Sequence, residues 1–156
     1  MNLTLVSEAE TDIPFLLELY AESRAAELEP VPWTRDQKQE FLESQFMLQR
    51  KHYYQHYKGA NFDLILLEGQ PIGRLYVHRD IEICLMDIIV SPPYQQRGIG
   101  KWCFEQLFLE AQNTGLDITL HVELNNFARA WYARLGFSEL EEEASGIYIK
   151  MQRKTN

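Results

Sequence analysis

The sequence predicts a mixed α/β domain, and three observations carry that reading. Helix-spaced and strand-like apolar patterns alternate along the 156 residues. An apolar run, Ile81 to Val90, leads straight into a glycine-rich turn and an amphipathic stretch, Lys101 to Gln112. Two further runs, Asn61 to Leu67 and Ile72 to His78, flank the turn sequence Glu68-Gly69-Gln70-Pro71 and read as an antiparallel pair. No repeat, low-complexity tract or linker interrupts the chain, so a single domain over 1–156 is expected.

The elements follow in order. Leu3, Leu5 and Val6 mark a short first strand. Thr11 or Asp12 is placed to cap a helix with Pro14 in its first turn, and Phe15, Leu16, Leu19, Tyr20 and Ser23 recur at helical spacing to about Glu27. Pro30-Val31-Pro32-Trp33 ends it. Thr34 caps the next helix, whose face of Phe41, Leu42, Gln45, Phe46 and Gln49 runs on to about Tyr57. The strand from Ile81 is closed by Pro92-Pro93, which lack backbone donors. Phe104, Leu107, Phe108 and Ala111 give the following helix its apolar stripe, and Gly115 stops it. Leu116 to Glu123 is another strand. Ala128, Trp131, Tyr132 and Leu135 line a short helix ended by Gly136, and Phe137 to Leu140 with Gly146 to Met151 forms a closing hairpin.

Composition narrows the function. Hydrophobic residues make up 46% and charged residues 24%, the balance of a globular chain. The net charge of −8, from 23 acidic against 15 basic groups, argues against a nucleic-acid partner and suits a cationic amine. Cys84 and Cys103 lie in apolar patterns and read as buried free thiols, consistent with a cytoplasmic setting. The first residues carry no basic stretch followed by an apolar region, so no signal peptide is expected. No apolar run approaches the ~20 residues needed to cross a bilayer, and no membrane partner is expected. His52 and His56 share a helix face, but no further ligands accompany them, and no metal is expected. The aromatic segment Lys51 to Tyr57 either lines an acceptor pocket or packs its rings on the sheet.

The chemistry concentrates in Gln95-Gln96-Arg97-Gly98-Ile99-Gly100. Between a strand and a helix, such a loop can aim successive N–H groups at one anion, and the helix N-terminus adds partial positive charge. A P-loop needs a Gly five positions before its Gly-Lys pair and then Ser or Thr; Gln95 and Trp102 stand there. A dinucleotide fingerprint needs Gly or Ala three residues after Gly100, where Cys103 stands.

The loop instead resembles the acetyl-CoA loop of the GCN5-related N-acetyltransferase (GNAT) superfamily, Gln/Arg-x-x-Gly-x-Gly/Ala. A second block, Asn125 to Phe137, is similar to the family's Asn-x-x-Ala-x-x-x-Tyr-x-x-x-Gly-Phe segment, and Ile88-Ile89-Val90-Ser91-Pro92 matches the strand before the loop. The resemblance spans roughly the C-terminal half. It implies a predominantly antiparallel sheet flanked by helices, acetyl-CoA as acyl donor, and transfer to a primary amine on a small molecule.

It also implies site residues. Main-chain groups of Ile88 and Val90 hold the pantetheine arm. Gln95, Gln96, Arg97, Gly98, Ile99, Gly100 and Lys101 surround the pyrophosphate, with Asn125 on the arm; Ala128 and Phe127 either pack against the cofactor or serve packing at the helix start. Tyr132 is the acid that protonates the leaving thiolate. The base is open among Glu82, Asp87, His121 and Glu123, or a water chain; alternation places Glu82 on the face of Ile88 and Val90 if no bulge intervenes. Neither cysteine sits in a nucleophile motif, so direct transfer in a ternary complex is expected. The alternatives are a non-catalytic acyl-CoA-binding regulatory domain, and an acetyltransferase acting on protein N-termini or lysines. A homodimer is compatible with the sequence, and no motif decides it.

Overall fold

The computed structural model describes residues 1–141 and 146–155. The fold is mixed α/β, with a seven-stranded, mostly antiparallel sheet flanked by helices and the strand order β1-β2-β3-β4-β5-β7-β6. The strands are β1 (Leu3–Ser7), β2 (Asn61–Leu67), β3 (Gln70–Arg79), β4 (Ile83–Val90), β5 (Ile118–Glu123), β6 (Ser138–Leu140) and β7 (Tyr148–Arg153). The helices are α1 (Ile13–Leu28), α2 (Arg35–His56), α3 (Ile99–Thr114) and α4 (Ala128–Arg134). Contacts group the chain into two compact units: residues 1–76 with 87–100, and 77–86 with 101 onward.

In the first unit, β1 runs antiparallel to β2, with Leu3 opposite Leu67 and Leu5 opposite Ile65. Leu16 and Tyr20 of α1 and Leu42 and Phe46 of α2 bury against Leu64 of β2. Thr34 caps α2 as the sequence implies. Its Oγ1 accepts from the Gln37 N–H at 3.1 Å while Gln37 Oε1 accepts from the Thr34 N–H at 2.9 Å, a reciprocal pair that satisfies two end donors. Asp12 behaves differently from its expected role. It stands at the N-cap of α1 without a side-chain cap bond. Its carboxylate accepts from the Ala9 N–H at 2.8 Å, closing the short 3-10 turn Glu10–Asp12 that precedes the helix.

In the second unit, β4 runs parallel to β5, with Ile83 opposite Ile118 and Leu85 opposite Leu120. β5 is antiparallel to β7, and β7 to β6. The closing hairpin is therefore present, but its second strand begins at Tyr148 and inserts between β5 and β6. Cys103, Phe104, Leu107 and Ala111 bury one face of α3, and Ile118, Leu120, Val122, Ile149 and Met151 bury the sheet residues. Cys103 is buried and Cys84 half-buried, both as free thiols. Burial pushes the Cys103 thiol up to about 12.

Strand β4 starts two residues later than the apolar run suggested. Ile81 is exposed, and the Asp80 N–H donates to the Glu82 carbonyl at 3.1 Å, so 80–82 form the turn out of β3. No helix among the described residues is long and apolar enough to cross a membrane.

Candidate active site

The glycine loop adopts the backbone that a row of aligned amides requires. Gln96 has φ of 61° and Gly98 has φ of 82°, both left-handed, separated by Arg97. Alternating handedness turns neighbouring N–H groups toward one side. A Cβ on Gly98 would meet no atom within 4 Å, so the space beside it is open and glycine answers a dihedral demand there, not a steric one. Ile99 is buried and anchors the head of α3. The first turn of α3 carries no acidic side chain to oppose an anion. The Arg97 guanidinium lies 5.4 Å from the Tyr94 ring centroid, and Lys101 is exposed in the first turn. Gln95 is exposed and braces the loop: its Nε2 donates to the Val90 carbonyl at 2.9 Å.

β3 holds the strand that feeds this loop. The Ser91 N–H donates to the Ile72 carbonyl at 2.7 Å. A Cβ on Gly73 would lie 2.4 Å from the Ile89 carbonyl oxygen and 3.2 Å from the Val90 Cα. Only glycine allows so close an approach between these backbones. Sequence reading gave Gly73 no role; a lone glycine inside an apolar strand pattern is the signal that marks it.

A second polar assembly lies in the same unit. Arg74 is 1% exposed. Its Nε donates to Asp87 Oδ2 at 2.7 Å, and its Nη2 donates to the same oxygen and to Gln49 Oε1, the latter at 2.8 Å. The guanidinium carbon lies 4.6 Å from the Tyr76 ring centroid and 6.0 Å from that of Tyr20. Burial lowers the Arg74 pKa, but Asp87 and Tyr76 outweigh it and the net direction is upward. Nearby, Glu8 accepts from Arg50 Nη1 at 2.7 Å, Tyr54 at 3.0 Å and the Tyr76 hydroxyl. Tyr54 stacks on Phe62 at 4.2 Å, and Tyr53 meets Tyr76 edge-on at 5.9 Å. These rings of the Lys51 to Tyr57 segment therefore pack on sheet residues. His52 and His56 stack on each other at 4.4 Å.

The second unit contains the other sequence-selected residues. Tyr132 is half-buried on α4, its ring 5.9 Å from Phe104, 5.6 Å from Trp131 and 6.2 Å from Phe137. Glu82 pairs with Lys150 at 3.1 Å. His121 and Glu123 are exposed on β5, opposite Lys150 and Tyr148. Asn125 is exposed, while Asn126 Oδ1 accepts from the Ala128 N–H at 2.8 Å and sets the entry to α4. Arg129 clamps that entry from inside the helix, donating to the Leu124 carbonyl and forming an ion pair with Glu139 at 2.7 Å. Phe127 is 97% exposed at the start of α4. Among the described residues no group of three or more His, Cys, Asp or Glu could hold a metal ion.

A sequence model described as the acetyltransferase (GNAT) family matches residues 16–137. Solved structures share the fold at low identity. The PaiA N-acetyltransferase of Thermoplasma acidophilum, in complex with coenzyme A, is 17% identical with a TM-score of 0.72, covering 99% of each chain. An acetyltransferase of Thermus thermophilus is 18% identical with a TM-score of 0.68, over 99% of this chain and 97% of that one. The ribosomal-protein-S18-alanine N-acetyltransferase of Escherichia coli is 21% identical with a TM-score of 0.63, over 99% and 95%. No curated protein is significantly similar in sequence.

Proposed function

The chain belongs to the acetyltransferase (GNAT) family, and on that premise we propose that it moves the acetyl group of acetyl-CoA directly to a primary amine on a small molecule. The observation that carries this reading is the loop at the head of α3, where Gln96 and Gly98 take left-handed backbone beside open space. That backbone suits a diphosphate held by N–H groups, with Arg97 and Lys101 adding positive charge. Main-chain groups of Ile88 and Val90 hold the pantetheine arm, and Gln95 fixes the loop against Val90. Asn125, Ala128 and Ile99 belong to the same set, Ile99 as the buried anchor.

Acetyl-CoA, when bound, supplies an activated acetyl thioester. The protein positions the acceptor nitrogen, takes a proton from it, and gives a proton to the leaving sulfur. Tyr132 is the acid. A phenol with pKa about 10 and a thiol with pKa about 8.5 exchange a proton readily. Glu82, His121 and Glu123 are the candidates for the base; Glu82 and His121 both neighbour Lys150, one by ion pair and the other by strand register. We read residues 1–156 as one N-acetyltransferase domain working in the cytoplasm.

The test is CoA release from acetyl-CoA across a broad amine panel. Tyr132→Phe should lower kcat by about 10²-fold or more with acetyl-CoA affinity unchanged. A Tyr132→Phe protein as fast as wild type removes the acid assignment. Calorimetric acetyl-CoA binding with no turnover of any amine selects the non-catalytic acyl-CoA-binding alternative.

A further inference from the structure

Resting on that transferase reading, we infer that Asp87 orients the attacking nitrogen of the acceptor, and that Arg74 is the positioning residue that lets it do so without favouring the ammonium form. Asp87 precedes Ile88, one of the two residues proposed to hold the pantetheine arm, and a strand advances only about 3.3 Å per residue. Its Oδ2 is committed to Arg74. Its Oδ1 has no hydrogen-bond partner among the described residues, and the side chain is 24% exposed. One oxygen is thus fixed by Arg74, and the other remains an acceptor on a partly exposed side chain.

The pairing decides what that oxygen can do. Asp87 is the only ion-pair partner of Arg74 among the described residues, and the guanidinium is almost wholly buried. A proton placed on Asp87 would leave that cation without a counter-charge in a buried site. This disfavours Asp87 as the base. It equally changes how Asp87 meets an amine. A lone carboxylate stabilises the ammonium form, which has no lone pair to attack with. A carboxylate already neutralised by a guanidinium accepts an N–H bond with much less of that penalty.

A neutral primary amine has two N–H groups. One proton leaves to the base as the N–C bond forms and the C–S bond breaks; the other N–H is held by Asp87 Oδ1. An alcohol has a single O–H and cannot serve both. The pair therefore selects amines over alcohols of the same shape. Among the described residues, the titratable groups around the pair are Tyr20 of α1, Tyr53 of α2 and Tyr76 of β3.

The experiment is steady-state kinetics with an amine from the panel that turns over, its matched alcohol, and three variants. Asp87→Asn directs its carbonyl to Arg74 and an NH2 donor to the acceptor, and kcat should fall at least about tenfold with acetyl-CoA affinity by calorimetry unchanged. Arg74→Met/Asp87→Leu replaces the ion pair by apolar groups, a change that is often neutral or stabilising, and in the folded double variant kcat should fall comparably. Arg74→Gln leaves an unneutralised carboxylate, and the pH at which kcat/KM for the amine reaches its plateau should move upward. A merely structural pair would not move that limb. Full kcat in Asp87→Asn or in the folded double variant overturns the inference while the transferase reading stands, as does an alcohol acetylated as fast as the amine. A wild-type protein that binds acetyl-CoA but turns over no amine overturns both.

Discussion

Gly73→Ala should damage the cofactor strand from behind. The added Cβ would sit 2.4 Å from the Ile89 carbonyl oxygen, a backbone atom that cannot rotate away, with Ile65 Cδ1 and Val90 Cα at 3.2 Å. An ordinary contact begins at 3.4 Å, so the backbone at Ile89 must move by about 1 Å. In an unobstructed strand the same change would stabilise by roughly 0.5–1 kcal/mol, because alanine loses less backbone entropy than glycine. Overpacking of about 1–3 kcal/mol reverses the sign. For a domain of this size each kcal/mol lowers Tm by about 2–4 °C, so a net loss near 1.5 kcal/mol predicts a fall of about 3–6 °C. The displaced groups belong to the strip proposed to hold the pantetheine arm, and a shift of about 1 Å should weaken acetyl-CoA binding by about tenfold. Thermal unfolding and titration calorimetry read the two effects. An alanine protein with an equal or higher Tm would show that the close approach of β3 and β4 is relaxed in solution, and the reasoning would fail.

Two further outcomes follow from single residues. Gly98→Ala should cost about 1–2 kcal/mol through its φ of 82° alone, and it should weaken acetyl-CoA binding without any clash, because nothing lies within 4 Å; an unchanged affinity would separate the loop backbone from the cofactor. Cys103, raised from 9.0 to about 12 by burial, keeps its proton in the folded chain where the unfolded chain has lost it. Its stabilisation is complete below pH 9 and declines as pH rises toward 12, by about 1.4 kcal/mol per unit. Urea melts at alkaline pH should therefore show a steeper decline for wild type than for Cys103→Ala, and equal slopes would contradict the burial argument.

Much of the fold was legible because its signals are local. Thr34 at an N-cap, Glu68 and Gly69 at a turn, and the stripe of Phe104, Leu107 and Ala111 need only neighbours within a few residues. The glycine loop was readable for the same reason, since its order of strand, turn and helix lies within one short stretch. What escaped was set by long-range partners. Gly73 looks like a weakness in a strand until β4 is laid beside it. Arg74 looks like an exposed charge between apolar residues until Asp87, Gln49 and Tyr76 enclose it. Thr11 or Asp12 was expected to cap α1 because both residue types favour caps; Asp12 stands at that position, but the preceding 3-10 turn takes its carboxylate. The Tyr53 and Tyr54 rings could have faced either a pocket or the sheet, and only Phe62 and Tyr76, brought in by the strands, decide for the sheet.

Glu8 has a consequence for any trimmed or fused form of the chain. Its side chain is 2% accessible and gathers donors that lie 42, 46 and 68 residues further along. Two of those donors come from α2 and one from β3, so a single carboxylate ties the end of β1 to both. Deleting the opening strand would remove one staple and strand three hydrogen-bonding side chains at once, two phenols and a guanidinium that share this acceptor. The first eight residues are thus a keystone for the helical face of their unit.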